Sequence, residues 1–133
     1  MRKVKQVLGV LTAAATALLV GSDGVAMAST DSVESVYSCP DWVRGYPNCA
    51  DTLTAVNLRT GASSKSGYIM TVPKDYPFSL GCWANGESIN GDDVWYYGSY
   101  FRIENGAPAW TDGWLTGYWL ATGHDPAPGI AHC

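Results

Sequence analysis

From Leu53 to Leu120 the chain is a succession of short runs rich in β-branched and aromatic residues, and no stretch has the apolar spacing of an amphipathic helix. The sequence therefore predicts an all-β domain. Expected strands are Leu53 to Leu58, Tyr68 to Val72, Pro77 to Trp83, Val94 to Ile103 and Gly113 to Leu120. Turn chemistry separates them: Thr60-Gly61-Ala62-Ser63, then Pro73-Lys74-Asp75, then a Gly-containing loop from Ala84 to Asp93. Strands of these lengths suit a small barrel, whose closure removes exposed edges.

What precedes this region has a different character. Arg2, Lys3 and Lys5 form a basic head, Val7 to Val20 is an apolar run too short to span a bilayer comfortably, and Ala26-Met27-Ala28 supplies a small-x-small cleavage pattern. Residues 1–28 are expected to be a signal peptide, removed after Ala28, leaving a secreted chain of 105 residues with no membrane association. That length suits one domain and is too short for two well-cored ones. Residues 29–52 show no sustained period and read as an irregular arm, residues 53–121 as the barrel, and residues 122–133, with Pro126, Pro128 and Gly129, as an extended C-terminal strap.

All four cysteines, Cys39, Cys49, Cys82 and Cys133, lie in the exported part, and an even number there argues for two disulfides. Three pairings are possible. A Cys39–Cys49 bridge would close a loop around Trp42 and Tyr46; in the alternative, each cysteine ties the arm to the body. The spacings lack the short Cys-x-x-Cys pairs of common zinc sites, so no metal and no cofactor is expected. After cleavage the chain holds five basic against eleven acidic residues, about −6 net, with no Lys/Arg cluster. Such a surface suits neither nucleic acid nor anionic lipid.

Val56-Asn57-Leu58-Arg59-Thr60-Gly61-Ala62-Ser63 resembles the opening signature of the bacterial SH3-like (SH3b) family. The pieces that follow keep that family's order: the strand Tyr68 to Val72, the turn at Lys74-Asp75, a strand ending at Cys82, then Val94-Trp95-Tyr96-Tyr97, Gly113-Trp114-Leu115 and Trp119-Leu120. The resemblance covers roughly residues 49–121 and implies an SH3-like barrel with Trp95 and Leu120 in the core. Trp114, Trp119 and Leu58 are assigned there too. Ala62 stands where the family usually has Pro, and Asp75 where it usually has Gly; Asp tolerates the left-handed conformation that such a turn needs. Gly61 is expected at positive φ, Asn57 to bond backbone, Arg59 to pair at the loop base, and Gly113 to admit a close backbone.

A wall-lytic enzyme is one class to test, because such modules accompany those enzymes. Each cysteine has a disulfide partner available, and His124 and His132 read as surface residues. Carboxylates such as Asp92 and Asp93, or Glu87 and Glu104, are acid/base candidates; Asp92 and Asp93 read more simply as turn residues, and nothing around them resembles a calcium loop. The chain is therefore expected not to be an enzyme. Binding is favoured instead, since a core of this size cannot hide six Trp, eight Tyr and two Phe. Alternation puts Trp95 and Tyr97 on one face and Tyr96 on the other; with Trp95 and Leu120 in the core, as the resemblance implies, Tyr96 would point outward, and a ligand groove is expected at Tyr96, Tyr100, Trp110 and Tyr118. The competing reading packs these rings under the arm and the strap. The expected partner is cell-wall peptidoglycan or another extracellular peptide, engaged by a monomer. An alternative is a secreted inhibitor or effector that engages another protein through Ala84 to Asp93.

Overall fold

The computed structural model describes residues 35–133. Residues 1–28, the expected signal peptide, and residues 29–34 of the arm lie outside the described residues. Seven strands form one antiparallel sheet: β1 (Tyr37–Ser38), β2 (Asn48–Asp51), β3 (Val56–Arg59), β4 (Tyr68–Val72), β5 (Pro77–Ile89), β6 (Asp92–Glu104) and β7 (Ala107–Thr116), in the order β1-β2-β5-β6-β7-β3-β4. The fold is all-β, as the sequence predicts. The sheet is not closed, because β1 and β4 each have a single neighbour, so the expected barrel closure is absent.

The sheet is built around β5, β6 and β7, which are longer than expected because two Asn-Gly pairs turn the chain sharply. Asn90 and Gly91 take φ of 50° and 90°, and Asn105 and Gly106 take 53° and 81°. These left-handed pairs match the right-handed twist of the strands they join. The segment Ala84 to Asp93 is thus no loop but the end of a hairpin, and β7 begins at Ala107 rather than Gly113. It ends at Thr116, whose hydroxyl accepts from the Tyr118 amide and opens a single 3-10 turn, Gly117–Trp119. Asp75 adopts φ 59°, the conformation expected of it, whereas Gly61 is not left-handed.

The arm is not irregular either. β1 pairs with β2, and β2 pairs with β5 through Cys49 opposite Ser79. Cys39 and Cys49 are bridged, closing the loop that holds Trp42 and Tyr46. Cys82 and Cys133 form the second bridge. The strap bends and turns rather than running extended, and it ends alongside β5: the Trp83 amide donates to Ala131 O and the Cys133 amide to Trp83 O, each at 2.9 Å.

One face of the sheet carries the core. Leu58, Val72, Phe78, Leu80, Tyr96, Leu115 and Leu120 are essentially inaccessible, joined by Ala127 and Ile130 from the strap. Gly113 sits where a Cβ would lie 2.8 Å from Leu58 and 3.0 Å from Arg59 O, so the close approach of β3 to β7 needs glycine, as expected. Arg59 closes the β3–β4 loop by donating to Ser66 O at 2.9 Å. Asn57 bonds the Thr71 hydroxyl rather than backbone.

The two bridges close loops of different size, with sequence separations of 10 and 51. Loop-closure entropy assigns about 3 kcal/mol to the first and about 4 kcal/mol to the second. Denaturant unfolding of Cys39→Ser/Cys49→Ser and Cys82→Ser/Cys133→Ser is expected to show that order, with the second variant the less stable.

Candidate functional site

The unbroken register of β6 with β7, from Trp95 opposite Thr116 to Glu104 opposite Ala107, decides which side chains share a face. Side chains alternate along a strand, and directly opposed residues lie on the same side. Val94, Tyr96, Gly98, Tyr100 and Arg102 therefore face inward. Trp95, Tyr97, Ser99, Phe101 and Ile103 face outward, beside Thr116, Trp114, Asp112, Trp110 and Pro108.

This arrangement corrects the expected groove. Tyr96 is fully buried: its hydroxyl donates to Asp125 Oδ1 and accepts the Ala127 amide, both at 2.8 Å, which fastens the strap over the core. Burial first, and then the Asp125 carboxylate, hold its phenol far above the ordinary range. Tyr100 is buried on the same face, edge-on to Tyr76, with Arg102 over its ring at 5.0 Å. Tyr118 is half-buried against Trp119 in the 3-10 turn. Of the four, only Trp110 is open to solvent. The alternation was read correctly, but its inner and outer sides are exchanged. Trp95 is buried on the outer face, its indole donating to Glu87 O, and Trp114 lies on that face outside the core cluster.

What the outer face assembles is a different set of rings. A β-bulge at Gly81 shifts the pairing of β5 with β6, so that Leu80 opposes Gly98 and Cys82 opposes Tyr97. A Cβ at Gly81 would stand 2.8 Å from the Tyr46 ring, which packs against the backbone there. The disulfide loop thus crosses the outer face, placing Gly45 over Ser79 and Ser99 and Trp42 beside Phe101. Phe101 is 3% exposed, with the Trp110 ring stacked on it (6.0 Å, 28° between planes) and Trp42 tilted against it at 6.3 Å. Trp42 and Trp110 themselves are 50% and 56% exposed, and Ile103 63%. A second row runs across the strands from Tyr97 to Trp114, 5.5 Å apart, then to Arg59, which opposes Trp114, and Tyr68. Asp112 is exposed on the same face, between Trp110 and Trp114 along β7. The Tyr97 phenol is held above its usual value, by burial first, then by Asp112 and Tyr46.

The carboxylates considered for catalysis have local work. Asp92 accepts the Val94 amide at 3.0 Å and Asp93 the Asn85 side chain at 3.2 Å. Glu87 accepts from Ser63 Oγ and from the amide and hydroxyl of Ser64, contacts that hold it below the usual carboxylate range. Glu104 lies 3.7 Å from Arg102. His132 packs edge-on to Trp83, and His124 Nδ1 is 3.0 Å from Pro126 O. Among the described residues, no group of three or more His, Cys, Asp or Glu side chains gathers as metal ligands would. No described helix is long and apolar enough to cross a membrane.

Trp42, Phe101 and Ile103 were not picked out from the sequence as site residues. The signal was present: a two-residue turn at Asn105-Gly106 fixes Phe101 opposite Trp110 by counting outward from it. Comparison with known proteins returns no family model, no curated protein and no solved structure that matches the chain.

The Tyr96 anchor has a pH signature. Its contribution is complete below about pH 10 and is lost above it, because unfolded phenols ionise there while Tyr96 stays protonated. Tyr96→Phe strands the Ala127 amide and is expected to cost about 1–3 kcal/mol at neutral pH, with a shallower alkaline decline in denaturant titrations. On the outer face, Asp112→Asn is expected to lower the Tyr97 pKa, read by ultraviolet phenolate titration against Tyr97→Phe.

Proposed function

We propose that this is a secreted, non-catalytic binding protein that recognises cell-wall material, peptidoglycan foremost, through the outer aromatic face. The observation that carries this reading is the pair Trp42 and Trp110, each at least half exposed and packed on the buried Phe101, with the exposed Ile103 two residues along β6 on the same face. Apolar side chains grouped in this way on a folded domain mark an interaction surface. Export is supported by the signal-peptide pattern of residues 1–28, and two disulfides are compatible with an extracellular protein. The resemblance of Val56 to Ser63 and the later segments to SH3b modules supports the wall as the setting, with an SH3-like ancestry for the open sheet. The local engagement of Asp92, Asp93, Glu87 and Glu104 supports a role without catalysis.

The oxidised protein is expected to sediment with purified cell wall, and Trp42→Ala/Trp110→Ala to remain in the supernatant while keeping its thermal unfolding midpoint within a few degrees. Retention unchanged in that variant but lost on changing Ser88, exposed near the tip of the β5–β6 hairpin, would move recognition to that hairpin and favour an inhibitor or effector.

A further inference from the structure

Resting on the binding role just proposed, we infer that the outer face takes an uncharged sugar chain rather than a peptide. The geometry of the rings leads to this choice. Trp110 lies nearly parallel on Phe101, so one side of the indole is covered by that ring and the opposite side is turned to solvent. Trp42 contacts the same Phe101 and is braced edge-on by Tyr76 at 6.1 Å. The Cys39–Cys49 bridge closes the loop that carries it. Two half-exposed indoles are therefore held apart by a buried third ring, and little ordering is left for a ligand to impose.

A pyranose ring has an apolar face of C–H bonds and a rim of hydroxyl groups, so it stacks on an indole and bonds sideways to acceptors. Asp112 supplies such an acceptor: it lies two residues from Trp110 on the same strand and face, and it is exposed. Its carboxylate accepts hydrogen bonds from hydroxyl groups and opposes an anionic chain, as does the acidic surplus of the protein.

A peptide finds less here. Extended peptides bind by pairing with a free strand edge; β7 offers one before it meets β3 at Trp114, but that edge lies in the plane of the sheet, whereas Phe101, Trp110 and Asp112 stand on its outer face. Proline-rich peptides lodge in slots between rings, and Phe101 fills the space between Trp42 and Trp110.

The test uses the oxidised protein with four probes: insoluble chitin, insoluble cellulose, soluble chitohexaose, and a pair of soluble peptides, one proline-rich and one a glycine-rich wall cross-bridge. Expected are depletion from solution by at least one of the two polymers, or titration of tryptophan fluorescence by chitohexaose, with no response to either peptide. Trp110→Ala should weaken sugar binding at least ten-fold, Trp110→Phe less, and Asp112→Asn several-fold, each with unchanged near-ultraviolet circular dichroism. Peptide binding that requires Trp110, without sugar binding, would overturn the sugar assignment and leave the binding role standing. Sugar binding indifferent to Trp110→Ala would overturn the assignment of the face. No probe bound, with whole-wall retention also indifferent to that change, would overturn both.

Discussion

The ladder between β6 and β7 fixes the chemistry of both faces of this protein. Ten consecutive pairs run without a bulge, and the Asn105-Gly106 turn sets their starting point. Because side chains alternate, a slip of one residue would carry Tyr96 and Tyr100 outward and bring Phe101 and Tyr97 into the core. Two things oppose that slip: the tight turn, and the paired commitments of Tyr96, whose hydroxyl is satisfied only beneath the strap. The core and the exposed aromatic face are therefore two consequences of one register.

The two disulfides fasten different segments to this frame. Cys39–Cys49 closes the loop that lays Tyr46 on Gly81 and Trp42 against Phe101, building out the aromatic face from a segment that has almost no strand of its own. Cys82–Cys133 holds the chain's last residues to β5, while Asp125 and Ala127 reach back to Tyr96. A domain of this size buries a modest share of its surface, so covalent closure of two segments complements a core made chiefly by one side of one sheet.

Much of the strand pattern was legible because it is local. Tyr68 to Val72 matches β4 residue for residue, and the expected strands at Pro77 and Val94 lie within β5 and β6. Asp75 declared its left-handed turn by its residue type. Less legible was everything set by pairing across the chain. The polar composition of Ala84 to Asp93 read as a loop, yet Asn90-Gly91 makes it a hairpin, and its far side is held by Glu87 contacts to Ser63 and Ser64. Alternation put Tyr96 opposite in sense to Trp95 and Tyr97 but could not say which side was wet. That choice belongs to Asp125 and Ala127, some thirty residues away. Trp114 looked like core for the same reason; it is the pairing with Tyr97 and Arg59 that puts it on the outer face. An open sheet rather than a barrel follows from β1 and β4 having no strand to meet, which no local pattern encodes.

The central claim is that the face bearing Trp42 and Trp110 is where this protein meets its ligand. Nuclear magnetic resonance of the isotope-labelled, oxidised protein titrated with soluble wall fragments tests it directly, because each indole N–H gives its own signal. The account predicts that the Trp42 and Trp110 signals move on titration while Trp95, whose indole is committed to Glu87 O, stays in place. Shifts confined to residues 84–93, or to Trp83 and the strap, with Trp42 and Trp110 unmoved, would contradict it.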